Sequence, residues 1–170
     1  GANGGELDYF IFTGGPERSP KKVLEDYTKL TGRTPLPPIW ALGNQQSRWS
    51  YYPEKRVREI AEGFRKNKIP ADVIYLDIDY MDGYRVFTWD RSRFADPAKM
   101  IGDLKKDGFR TVLIIDPGIK ADPNYSVYTD GQRNGAFVKN PDGSELNRSV
   151  WPGPSAFPDF TDPTAREWFG

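Results

Sequence analysis

Neither cysteine nor histidine occurs among the 170 residues. Without cysteine there is no disulfide framework and no thiolate metal site, and the redox compartment is left open. Without histidine, Ser-His-Asp and Cys-His relays and most zinc chemistry are excluded as well. Carboxylates are then the acid/base groups that the chain can offer near neutral pH. Net charge is also missing: 24 Lys and Arg balance 24 Asp and Glu, which gives no electrostatic footprint for a nucleic acid or a membrane surface. No segment approaches the roughly 18 apolar residues of a membrane span. The opening run Gly1-Ala2-Asn3-Gly4-Gly5 carries neither the basic nor the apolar region of a secretory leader. There is no Gly-rich phosphate loop, metal-ligand cluster or nucleophile elbow. These absences predict a soluble chain that uses no cofactor and no metal and has neither a nucleic-acid nor a membrane partner.

Aromatic side chains are abundant, at 14% of the residues with five Trp and nine Tyr. Flat amphipathic rings suit clefts that stack on the faces of sugars, and they equally fill cores. The length is that of one ordinary domain with its own core.

Along the chain, residues 7–13 (LDYFIFT) alternate as in a strand closed by Gly14-Gly15-Pro16. Ser19-Pro20 opens a helix that carries Val23, Leu24, Tyr27 and Leu30 at helical spacing and stops at Thr31-Gly32. Pro35-Leu36-Pro37-Pro38 is a stiff extended lead-in. A unit then repeats: a short strand at 39–43; a helix at 53–67 with Val57, Ile60, Ala61 and Phe64 on one face; and a strand at 73–77. Asp96-Pro97 caps a further helix running to Asp107-Gly108, a third strand covers 111–115, and a fourth covers 156–160 before a helix opened by Asp162-Pro163. Between the last two strands, an insert at 122–150 has turn signals at Asp130-Gly131, Asn134-Gly135 and Pro141-Asp142-Gly143, the pattern of a hairpin or a lid.

Strand starts about 34 to 45 residues apart describe four βα units with parallel strands. Two α/β folds satisfy this spacing. One is a partial (β/α)8 TIM barrel of about four units, preceded by a short β-strand segment; the other is an open four-stranded doubly wound sheet. In the barrel, Gln45, Arg48, Trp49, Asp77, Asp79, Asp116, Ile119, Trp151 and Asp159 lie at or beyond the C-terminal strand ends, on the face where barrel enzymes bind substrate. An ionised carboxylate accepts two hydroxyl hydrogen bonds at once, so these acids suit a sugar. Each also has a structural alternative. Asp77 and Asp79, alternate residues sharing a strand face, could pair with Arg48 or Arg85 or cap the following turn. Asp116-Pro117-Gly118 is ordinary turn chemistry, Trp151 could anchor its loop, and Asp159 could act as a cap before Thr161-Asp162-Pro163.

Several motifs occur in order: Pro37-Pro38-Ile39-Trp40-Ala41-Leu42-Gly43, Gln46-Ser47-Arg48-Trp49-Ser50-Tyr51, Leu76-Asp77-Ile78-Asp79-Tyr80-Met81-Asp82, Phe87-Thr88-Trp89-Asp90, and Trp151-Pro152-Gly153 with Phe157-Pro158-Asp159-Phe160. Together they resemble glycoside hydrolase family 31, the α-glucosidase family. The resemblance implies that residues 1–34 are the end of a preceding β-domain plus a linker helix. It implies that residues 35–170 are the first half of the catalytic barrel, with the insert at about 122–150. The activity it implies is that of a retaining hydrolase releasing terminal α-linked glucose, or a related α-sugar, from an α-glucoside or oligosaccharide. By the same resemblance Asp77 holds sugar hydroxyls with Ile78 beside it, Trp49 and Ile119 are apolar walls, and Trp151 is a stacking ring. Asp116, Asp79, Asp159 and Arg48 are further candidates. The family's Trp-x-Asp-Met-Asn-Glu nucleophile stretch does not occur in these residues, so nucleophile and acid/base are expected downstream of Gly170. Two roles follow for the 170 residues: an inactive fragment of the hydrolase, or a non-catalytic half-barrel that binds sugar or assembles. Its expected protein partner is the rest of the barrel, or a second copy through exposed barrel edges.

Overall fold

The computed structural model describes residues 7–170. The run at 1–5, on which the leader expectation rests, lies outside them. The chain divides into two compact units, residues up to Pro38 and residues from Ile39 on.

In the first unit, helix α1 spans Pro20–Thr31. Its start follows the sequence signal: Pro20 sits in the first turn, and Ser19 has extended backbone at the cap position but makes no side-chain cap bond. Tyr27 meets Phe12 edge to face at 5.9 Å between ring centroids. The expected strand at 7–13 is not formed. A strand is defined by the partner that takes up its backbone hydrogen bonds, and among the described residues this segment has none beside it.

The second unit holds all the candidate site residues. Its core element is a three-stranded parallel sheet in the order β1 (Gln45–Gln46), β2 (Val73–Leu76), β3 (Arg110–Leu113). Strand β2 is an apolar run because it is central and covered on both faces; Val73, Ile74 and Leu76 are wholly buried. Helices α2 (Glu54–Lys66) and α3 (Pro97–Lys106) cross between the strands. Helix α2 buries Val57 and Ala61, and Ile60 and Phe64 pack against the same core. Helix α3 buries Met100 and Leu104 and is capped by Asp96, whose carboxylate accepts from the Lys99 N–H at 2.9 Å. The register Gln46↔Ile74↔Thr111 fixes the C-terminal ends of all three strands along one rim.

Two expectations differ from this arrangement. Residues 39–42 form a 3-10 turn rather than a strand, and the first strand is the polar pair Gln45–Gln46. The expected fourth parallel strand at 156–160 does not join the sheet. The chain there forms β6 (Gly153–Ala156), the middle strand of a separate antiparallel sheet between β4 (Ile119–Lys120) and β5 (Asn147–Val150). Strand β6 follows β5 after two residues, so a hairpin captures it locally, ahead of any parallel partner.

The insert holds a helix, α4 (Ser126–Arg133), in which Asp130-Gly131 lies inside the helix rather than in a turn. Asn134-Gly135 ends that helix, with Gly135 at φ +62°. Pro141-Asp142-Gly143 does form the tight turn expected of it, closed by the Lys139↔Glu145 bridge. Helix α5 spans Pro163–Phe169 and is capped by Asp162. Among the described residues no helix is long and apolar enough to cross a membrane.

Candidate functional site

The loops after β1 and β2 meet at the C-terminal rim of the parallel sheet. Strand β2 does not continue as a strand through Asp77-Ile78-Asp79. It turns at once into a 3-10 segment, Ile78–Tyr80, that Asp77 caps by accepting the Ile78 N–H at 2.7 Å. The two-residue alternation expected of a strand is therefore lost, and the two carboxylates take different environments. Asp77 is half-buried, and its second carboxylate oxygen makes no hydrogen bond among the described residues. Asp79 is 4% exposed and fully engaged. Its Oδ2 accepts from Trp49 Nε1 at 3.0 Å, its Oδ1 accepts from the Tyr84 hydroxyl at 3.3 Å, and Arg93 Nη1 lies 3.7 Å from Oδ1. The Asp79 carboxylate beside it holds the Tyr84 phenol above its usual range.

Arg93 also donates to the backbone carbonyl of Asp79 at 3.2 Å, pairs with Asp90 at 3.2 Å and lies 4.6 Å over the Tyr52 ring. Neither Arg48 nor Arg85 partners the two acids. Arg48 is exposed and makes no ion pair among the described residues, and Arg85 pairs with Asp82 and Asp122. Tyr80 donates to the Ile114 carbonyl at 2.9 Å, tying the 3-10 segment to the residue that follows β3; burial pushes its phenol up to about 12.

Trp49 and Trp151 stand together above this network, ring centroids 6.2 Å apart and planes at 39°. They are 67% and 62% exposed. Trp49 comes from the loop after β1, and Trp151 from the two-residue turn joining β5 and β6. The remaining candidates are placed elsewhere. Ile78 and Ile119 are buried in the core, Ile119 on β4 opposite Ala156, so neither presents its side chain to solvent. Asp116 is half-buried beyond β3 and makes no side-chain hydrogen bond or ion pair among the described residues. Gln45 is occupied by Tyr75 at 2.7 Å and by the Ala41 carbonyl at 2.7 Å. Asp159 acts in its own turn, accepting the Thr161 hydroxyl at 2.6 Å and its N–H at 3.0 Å; these bonds hold its carboxyl below the usual range. Tyr84 and Arg93 escaped the sequence reading, because an arginine three residues beyond Asp90 looks like any surface ion pair. Among the described residues no group of three or more acids could hold a metal ion.

The model of the glycosyl hydrolases family 31 TIM-barrel domain matches residues 34–170. The chain belongs to glycosyl hydrolases family 31. Among its relatives, Alpha-glucosidase 2 of Bacillus thermoamyloliquefaciens is 56% identical over 169 residues, covering 99% of the chain and 21% of the relative. A crystal structure of the glucosidase II alpha subunit bound to alpha3-Glc2 superposes with a TM-score of 0.85 at 39% identity, over 89% of the chain and 16% of that subunit. The Family 31 alpha-glucosidase from Bacteroides thetaiotaomicron superposes with a TM-score of 0.79 at 50% identity, over 89% of the chain and 26% of that enzyme. The chain thus spans about a fifth of the length of the curated relatives it matches. Family membership makes the parallel sheet part of a TIM-barrel domain, and Asp77 and Trp49 stand at the C-terminal rim of that sheet.

Proposed function

We propose that the complete polypeptide containing this chain is a retaining α-glucosidase that removes terminal α-linked glucose from an oligosaccharide. In this reading residues 35–170 are the front half of its barrel, and residues 1–34 close a preceding β-domain. The chain supplies part of the terminal-sugar pocket and neither member of the catalytic pair. The observation that carries the proposal is the pairing, on one rim, of two exposed indoles with a carboxylate that keeps a free oxygen. Trp49 and Trp151 offer faces on which a pyranose can stack, and Asp77 offers an acceptor for its hydroxyls. Asp116, with no side-chain partner among the described residues, is the next acceptor along the rim. Ile78 and Ile119 support the pocket from the core beneath rather than as exposed walls.

Retention requires a nucleophile and an acid/base about 5–5.5 Å apart, and both are assigned to the chain beyond Gly170. The open edges of the parallel sheet at β1 and β3 then pair with the rest of the barrel, or with a second copy when the 170 residues stand alone. The test starts with the source gene. Reading past the codon for Gly170 is expected to give a Trp-x-Asp-Met-Asn-Glu stretch, and the complete polypeptide is expected to hydrolyse p-nitrophenyl α-glucoside while the 170-residue chain does not. A stop codon at that point with glucose binding intact would favour the non-catalytic half-barrel. Enzyme-like turnover by the 170-residue chain would refute the assignment of both catalytic groups to later residues.

A further inference from the structure

We infer that Asp79 is a positioning residue: its buried carboxylate sets the angle of the Trp49 indole against Trp151 and does not itself touch the sugar. The inference rests on the reading of Trp49 and Trp151 as sugar-facing rings. It starts from the contrast between two acids a single residue apart. Asp77 is half-buried with a carboxylate oxygen to spare, whereas Asp79 is 4% exposed and receives Trp49, Tyr84 and Arg93. A carboxylate withdrawn from water is tolerated when donors and a cation surround it. Here those groups come from three separate stretches of chain: the loop after β1, the turn at Tyr84 and the segment around Arg93.

Trp49 needs such a fixture. At 67% exposure it has little packing to select one rotamer, and an indole free to swing would offer no defined face to a ligand. The Nε1 to Oδ2 bond, 3.0 Å long and made to a charged acceptor thirty residues away, removes that freedom. Arg93 holds the acceptor in turn. It is pinned by Asp90 at 3.2 Å and binds the Asp79 backbone carbonyl at 3.2 Å, so the carboxylate cannot rotate away from Trp49 without leaving its cation. The order of support therefore runs from Asp90 through Arg93 and Asp79 to Trp49, and ends at the 6.2 Å contact with Trp151.

The test has two arms. In the 170-residue chain, the Trp49 indole N–H signal is identified in a nitrogen-proton correlation spectrum by its loss in Trp49→Phe. Asp79→Asn, which keeps an acceptor oxygen and removes the charge, is expected to shift that signal and to speed its hydrogen exchange by about tenfold, leaving Trp40 and Trp168 in place. Asp79→Ala should go further where it folds; where it does not, the asparagine variant carries the arm. An unmoved Trp49 signal in Asp79→Asn overturns the inference.

In the complete polypeptide, Asp79→Asn and Trp49→Phe are each expected to lower kcat/KM for p-nitrophenyl α-glucoside by about 10- to 100-fold. The double variant should be no worse than the poorer single one, because both act through the same Trp49–Asp79 contact. Losses that multiply in the double variant would mean that Asp79 acts on substrate by itself, and would overturn the inference. An inactive wild-type polypeptide would instead defeat the assigned activity, and the indole arm alone would then decide what Asp79 does.

Discussion

Replacing Gly131 and Gly102 by alanine should move stability in opposite directions, although both lie inside helices. In α4, a Cβ on Gly131 would stand 2.4 Å from Phe137 Cζ, 2.9 Å from Phe137 Cε2 and 2.9 Å from Trp168 Cη2. Carbon atoms pack at about 3.5 Å or more, so the nearest overlap is about 3.5 − 2.4 = 1.1 Å. The Phe137 ring has no room to retreat: it stacks on Tyr128 at 5.7 Å, meets Trp168 edge-on at 5.6 Å and is 4% exposed. Overpacking of this kind costs about 1–3 kcal/mol, and a ring boxed on two sides belongs in the upper half of that range. Alanine returns about 1 kcal/mol of helix propensity, which leaves a net loss of about 1–2 kcal/mol.

In α3, a Cβ on Gly102 would meet nothing within 4 Å, so the propensity gain of up to about 1 kcal/mol stands unopposed. For a chain of this size each kcal/mol moves the midpoint by about 2–4 °C. Thermal unfolding followed by circular dichroism should then show Gly131→Ala about 2–8 °C below the wild type and Gly102→Ala up to about 4 °C above it. A Gly131→Ala midpoint at or above the wild type, or a Gly102→Ala midpoint falling as far as the other, would refute the packing argument.

Burial raises the phenols of Tyr80 and Tyr125 to about 12 from an ordinary value of 10.0. The folded state keeps these protons longer than the unfolded state does, so their contribution is intact below pH 10 and is lost as pH rises from there through about 12. Urea unfolding across that window should show stability falling, and the fall should be shallower in Tyr80→Phe; a slope identical to the wild type would count against the burial. Asp96→Ala removes the carboxylate that caps α3 and should cost about 1 kcal/mol in a urea titration, with no loss if the cap is idle. Ile74→Ala, at a fully buried site on the central strand, should cost about 2–5 kcal/mol; a cost below 1 kcal/mol would place that side chain outside the core.

Elements whose local signals agreed with their surroundings were readable from the sequence. Strand β2 is an uninterrupted apolar run because it is covered on both faces, and α3 and α5 begin at Asp-Pro steps whose carboxylates do cap them. Strand β1 carried no such mark. Gln45 and Gln46 are polar and become a strand through pairing with Val73 and Ile74, a contact across some 28 positions that no local pattern encodes. Helix α4 was hidden by composition, since Val127, Thr129 and Gly131 are poor helix formers held in place by tertiary contacts. Position at a strand end made Asp77 and Trp49 candidates, and both do lie beyond the ends of β2 and β1. Their separation into a carboxylate with a free oxygen and a ring held by Asp79 depends on the 3-10 turn at Ile78–Tyr80, which breaks the alternation the sequence implied.

The two indoles reach one spot by unlike routes, and a single close approach joins those routes. Trp49 hangs from the parallel sheet and is fixed through its N–H by a buried acid. Trp151 makes no side-chain hydrogen bond among the described residues. It is aimed by the hairpin register, in which Val150 faces Gly153 across the Trp151-Pro152 turn. That hairpin lies over the link from β3 to β4, where Gly118 is buried; a Cβ there would stand 2.7 Å from Val150 Cγ2. Only a residue without a side chain lets β5 pass so near. The Asp116-Pro117-Gly118 run is thus an irregular link rather than the turn its composition suggests, and its glycine lets the β5–β6 hairpin that carries Trp151 come close to it, which bears on the spacing of the Trp49 and Trp151 rings.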